Sequence, residues 1–216
     1  MASQLARELP GSVCVFDPKP HERRSPWRTY RWCLERALLT DWTHLLVLQD
    51  DTRLCRDFEL LLPRVVAAQP DSLLVLFCAA VPVQSARAIR NACWYDLPFA
   101  TLNVQDWVPV VATVWPVKYI RPALAWVDRQ RWPAEFVADD EITGRVARAL
   151  GLTVYATAPS LVEHPDEAQP VNGGRRPLAG RDENRVAYCF AGDDHDLLDV
   201  DWTAGVFPRD RHLAKT

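Results

Sequence analysis

Apolar residues fall along the chain in short blocks, and the spacing within each block sets the element it predicts. Residues 11–17, Gly-Ser-Val-Cys-Val-Phe-Asp, are an apolar run closed by a carboxylate and read as a first buried strand. A polar, Pro-rich loop follows. Ser25-Pro26-Trp27 then has the form of a helix start, a hydroxyl cap before a proline at the first helical position. Tyr30, Leu34 and Leu38 continue that helix at helical spacing, to an end near Thr40. Residues 44–51, His-Leu-Leu-Val-Leu-Gln-Asp-Asp, carry four apolar residues in a row, the signature of a central parallel strand buried on both faces. Residues 58–68 predict a helix and residues 72–78 another buried strand.

The stretch from 81 to 127 is less regular. Residues 107–115 give its best strand and residues 120–126 a short helix. Asp139-Asp140-Glu141 opens a helix that runs to Leu150 and stops at Gly151, a left-handed terminator. Residues 152–157 are a strand that delivers Pro-Ser-Leu-Val-Glu-His at 159–164. Beyond Pro165 the composition turns loop-like, and the last thirty or so residues read as a weakly ordered tail. Alternating helices and strands predict an α/β sandwich with ligands at the carboxyl ends of its strands.

Composition narrows the classes. At 216 residues the chain suits one α/β domain and not two. Its net charge of −3 argues against duplex DNA as a partner, so no nucleic acid is expected. No apolar run approaches the ~20 residues of a membrane span. The first residues lack the apolar centre of a secretion signal, so a cytoplasmic location is expected. The six cysteines show no Cys-x-x-Cys spacing and read mostly as small buried hydrophobes, not disulfides, zinc ligands or a catalytic thiol. Most of the nine tryptophans read as core, although so many in a short chain can also make a flat sugar-stacking surface, for which Trp107, Trp115 and Trp132 are candidates.

Three acidic or imidazole signals carry candidate chemistry. Adjacent carboxylates at Asp50 and Asp51 repel each other at a strand end, and a divalent cation with oxygen ligands would relieve both; a solvated turn explains them equally well. Asp139, Asp140 and Glu141 suit the positive end of a helix, and one of them at a cleft would suit a general base. His164 reads first as a surface histidine, and as a neutral imidazole it could complete a metal's coordination. Asp193-Asp-His-Asp196 reads as an exposed acidic loop. No Gly-x-Gly-x-x-Gly, P-loop or Gly-x-Ser-x-Gly motif is present, which argues against dinucleotide enzymes, P-loop NTPases and α/β-hydrolases.

The order of these signals resembles the GT-A class of nucleotide-sugar glycosyltransferases. The similar elements are the strand into Gln49-Asp50-Asp51, the helix-opening Asp139-Asp140, and the strand leading to His164. Ser25-Pro-Trp-Arg-Thr-Tyr30 followed by Leu-Leu-Val-Leu-Gln-Asp-Asp is similar to small glycosyltransferases of actinobacterial phages. The resemblance covers roughly residues 11–165. It implies a Rossmann-like three-layer α/β/α sandwich with a mostly parallel central sheet, a catalytic domain over 1–170 and a loop-rich extension over 171–216 packed on it.

The resemblance further implies an Mn²⁺ or Mg²⁺ cofactor, with Asp51 the first choice of ligand beside Asp50 and His164. Gln49 replaces the first acid of the family's DxD-type pattern and, with Asp50, Asp17 and Arg28, is expected on the donor nucleotide. Asp139 or Asp140 is expected as the base, depending on whether Arg145 or the acidic pair sets the alignment. The implied reaction moves a sugar from a nucleoside diphosphate sugar, UDP-linked by preference, to a hydroxyl of a protein or glycan, with inversion favoured. A phage structural protein in the host cytoplasm is the implied acceptor. Two other readings are a nucleotidyltransferase using the same metal site and a catalytically silent carbohydrate-binding or phage-structural protein.

Overall fold

A computed structural model describes residues 2–19, 21–22, 25–80, 83–104, 107–131, 137–164, 186–193 and 195–208. A short helix α1, Ala2–Glu8, precedes residues 12–17, which form no strand. This corrects the expected first strand: Val13 is 53% exposed and Phe16 72% exposed, so the run is apolar without being buried. Helix α2, Pro26–Ala37, starts as its sequence predicts, with Ser25 Oγ accepting Arg28 N–H at 3.2 Å. It ends three residues before Thr40 and buries Trp27, Tyr30, Leu34 and Ala37.

Strand β1, His44–Leu48, and the two-residue β2, Arg53–Leu54, lead into helix α3, Phe58–Ala68, which matches its predicted span. Strand β3, Leu73–Val75, is shorter than expected, although residues 76–78 stay buried beyond it. Helix α4, Val83–Trp94, and strand β4, Phe99–Thr101, occupy the stretch that sequence left irregular. Strand β5, Ala112–Pro116, begins five residues later than residue 107, where the pattern put it. Then come α5, Ile120–Asp128, and α6, Asp139–Ala149, closed by Gly151 at φ +63°. Strands β6, Val154–Thr157, β7, Val162–Glu163, and β8, Val206–Phe207, complete the described elements.

The fold is α/β, with a mixed six-stranded sheet in the order β1-β5-β3-β6-β4-β8. Its central pair, β3–β6, is parallel, as is β4–β8, while β1–β5, β5–β3 and β6–β4 are antiparallel. Strand β1 is therefore an edge strand paired antiparallel to β5, not the central parallel strand its apolar run suggests. Val47 alone in it is buried, because one side has no neighbouring strand among the described residues.

Side chains alternate across the sheet as the pleat requires. Leu73 and Val75 of β3 join a core with α2, α4, α5 and α6, built on Leu34, Ile89, Ile120 and Ile142. Leu74 and Leu76 face the other core, with Leu61 and Val65 of α3, Phe99 of β4, and Leu197 and Trp202. The segment read as a weakly ordered tail thus supplies core residues and an edge strand. A buried polar bridge ties α2 to β5: Trp115 Nε1 donates to Tyr30 Oη at 2.7 Å, and Tyr30 Oη lies 2.8 Å from Thr113 Oγ1. No helix among the described residues is long and apolar enough to cross a membrane.

Candidate active site

Strands β1 and β3 end on the same side of the sheet, and β5, running against both, begins there. Residues 107–111, which lead into β5, therefore cross the carboxyl ends of β1 and β3. Between these segments and the start of α6 lies an open cavity of about 170 Å³, lined by Gln49, Phe77, Trp107, Val110, Val111, Asp139, Asp140 and His164 among others. That is less than the ~300–1,000 Å³ of sites that engulf a whole drug-sized ligand. Four of the sequence-predicted site residues, Gln49, Asp139, Asp140 and His164, come together here from three distant segments.

A small second sheet brings Asp51 to His164. Strand β2 follows Asp51-Thr52 and β7 precedes His164, and the two pair antiparallel with Arg53 opposite Glu163 and Leu54 opposite Val162. Continued by one residue, that register sets the chain around Asp51 against His164. His164 Nε2 lies 3.1 Å from Asp51 Oδ2. His164 is only 6% exposed, so it is no surface histidine, and its Nδ1 is buried without a hydrogen-bond partner. Glu163 Oε1 accepts the His164 N–H at 2.9 Å and the Ala187 N–H at 2.6 Å, which fixes the loop that carries the imidazole. That bracing role of Glu163 has no pattern signal in the sequence.

The two aspartates at the start of α6 sit in different settings. Asp140 Oδ2 accepts Trp107 Nε1–H at 2.5 Å and its Oδ1 accepts Glu141 N–H at 2.6 Å, so its carboxylate is held at both oxygens. Asp139 Oδ1 accepts the Asp140 N–H at 3.1 Å, so the hydrogen bonding of this carboxyl comes from backbone and not from a side chain. Burial, and then the Asp140 charge beside it, push the Asp139 carboxyl up to about 6, against the pull of its backbone hydrogen bonds. Arg145, one turn on, pairs with Glu141 along the helix.

The remaining candidates are placed elsewhere. Asp17 and Arg28 pair with each other through two 2.7 Å contacts, and the guanidinium holds the Asp17 carboxyl below its usual range. Neither is among the residues that line the cavity. Asp50 is exposed at the turn after β1 and does not line it either. Trp115 is core, and Trp132 lies outside the described residues. Asp193 pairs with Arg53 and Asp196 with Arg56, as an exposed acidic loop would.

Among the described residues no three His, Cys, Asp or Glu side chains cluster as a metal cage. The Asp51 carboxylate and the His164 imidazole nevertheless fit one divalent cation as a partial ligand set. An oxygen and a nitrogen donor converge in a buried place, as in sites where substrate phosphates and water supply the other ligands. No model of a known protein family matches the chain, and neither does any curated protein sequence.

Proposed function

We propose that this chain is a metal-dependent glycosyltransferase of the GT-A kind, a Rossmann-like three-layer sandwich that uses a nucleoside diphosphate sugar, UDP-linked by preference. The observation that carries the reading is the meeting, in one cavity, of the strand-end Gln49, the helix-opening Asp139-Asp140 pair and the His164 loop, with Asp51 against His164.

Asp51 and His164 would hold Mn²⁺ or Mg²⁺, which when bound neutralises the charge of a departing diphosphate. Asp139 takes the proton of the acceptor hydroxyl. Its carboxylate is the less restrained of the two, and a carboxyl titrating at about 6 is better matched to neutral pH than an ordinary one. Asp140, anchored by Trp107 and by its own helix, sets the position of Asp139 and of the cavity wall. Direct displacement with inversion follows from a base on the acceptor side. The volume of the cavity suits a sugar ring rather than a whole donor, so the nucleotide would lie outside it, toward Asp50.

The test is a panel of nucleotide sugars incubated with the protein, with and without Mn²⁺, following release of the nucleoside diphosphate. Metal-dependent release, abolished by Asp51→Ala, is the expected result. If no nucleotide sugar binds and Mn²⁺ leaves the melting temperature unchanged, the reading is wrong.

A further inference from the structure

Cys93, near the end of α4, and Cys189 are 96 residues apart in sequence, yet their sulfurs lie 3.9 Å apart, with the Cys93 thiol donating to Cys189. Both are half-buried and both are free thiols. Cys189 rides on a strap, residues 186–191, laid across the loop between β6 and β7 and the chain after β3. Its own carbonyl accepts Ser160 N–H at 2.7 Å. On either side of it Tyr188 N–H donates to Cys78 O at 2.8 Å, and Ala191 N–H to Ser160 O at 3.0 Å. The same strap receives the Glu163 carboxylate at Ala187. The strap is held by backbone bonds on one side and meets α4 through a sulfur pair on the other.

We propose that Cys93 and Cys189 are a redox modification site, a dithiol that closes reversibly to a disulfide and fastens the strap to α4. The sulfurs must approach from 3.9 Å to about 2.0 Å, which half-buried side chains on a loop and a helix end can do by rotation. The co-reactant is a small disulfide such as oxidised glutathione. The Cys189 thiolate attacks one of its sulfurs, and a first thiolate leaves as the mixed disulfide forms. Cys93, giving up its proton to solvent, then attacks the Cys189 sulfur and expels the second thiolate. One disulfide is reduced to two thiols, and the two cysteines are oxidised to one disulfide. Hydrogen bonding from Cys93, with the His195 charge nearby, holds the Cys189 thiol below its usual range, which favours it as the attacking sulfur. This site is independent of the glycosyltransferase reading, since none of its parts lines the cavity.

The test uses the full chain with the exposed Cys14 replaced by serine, equilibrated in buffers of graded reduced-to-oxidised glutathione. Free thiols are trapped with a maleimide, and the protein is digested for mass spectrometry. A Cys93–Cys189 linked peptide that grows with oxidation, and disappears with dithiothreitol, is expected. Hydrogen exchange at the Tyr188 and Ala191 amides should slow at least about tenfold in the oxidised form. Cys93→Ser should leave Cys189 carrying a persistent glutathione adduct instead. The proposal is overturned if only such adducts appear on the Cys14→Ser protein, or if neither the linked peptide nor the slowed exchange is seen at any ratio.

Discussion

Replacing Asp139 with asparagine removes a charge that the fold holds at a cost while keeping the oxygen that accepts Asp140 N–H. The folded protein binds the Asp139 proton up to about pH 6, whereas an unfolded aspartate releases it near 3.8. Between those values the folded state holds the extra proton, so this group's contribution makes stability fall as pH rises through that window. A tenfold change in proton affinity is about 1.36 kcal/mol. The penalty is therefore about 1 kcal/mol at pH 4.5 and about 3 kcal/mol at pH 7 to 8. Asp139→Asn should recover that difference, raising the urea midpoint at pH 7 by roughly 1 M for a slope of about 2–3 kcal/mol per molar. The assay is urea unfolding of both proteins followed by fluorescence at several pH values, with the slope required to stay constant. A gain that is the same at pH 4.5 and pH 8 would refute the reasoning, as would a loss at pH 7. On the proposed reading the same substitution should also abolish glycosyl transfer, giving a variant that is more stable and inactive.

Two further substitutions probe the scaffold. Tyr30→Phe strands the buried Trp115 N–H and Thr113 hydroxyl, and should cost about 2–3 kcal/mol in chemical denaturation; a change within 0.5 kcal/mol would mean that the bridge between α2 and β5 contributes nothing net. Trp202→Ala should destabilise the whole protein by about 3–5 kcal/mol, because the indole is buried against Phe99 at a 5.7 Å ring separation. If unfolding of that variant begins with the last residues alone and leaves the main transition in place, the second core does not depend on them.

Helices with strong local signals were legible in the sequence. Ser25-Pro26 starts α2, Gly151 stops α6, and α3 is apolar at the required period. Helix α4 was not legible, because its buried face among the described side chains is Ser85, Ala86, Ile89 and Ala92, of which Ile89 alone carries much hydrophobic weight. The apolar runs at 13–16 and 45–48 carry strand propensity, but propensity does not say which edge a strand pairs with. The first has no ladder among the described residues and the second lies at the margin of the sheet. At the site, Gln49, Asp139, Asp140 and His164 were each readable as strand- or helix-end residues. The contact of Asp51 with His164 was not, since it depends on β2 and β7, two strands of two residues each, too short to leave a periodic signal. Trp107 was readable as a candidate stacking surface, whereas its bond to Asp140 follows only from where the lead into β5 crosses the sheet.

The strand order has a temporal consequence. Among the described strands, none in the six-stranded sheet pairs with its neighbour in sequence, and the two-residue β2 finds its partner only in β7. No hairpin is available to form early and cheaply, and every ladder closes a long loop: His44 waits for Pro116, and Phe99 for Val206. At a synthesis rate of about 5–20 residues per second, the stretch from β1 to β8 takes roughly 8–30 seconds to emerge. Once made, β4 lacks both of its partners until β6 emerges and still lacks β8 until residues 206–207 are made, so the nascent chain carries an unfinished sheet and an open second core up to that point.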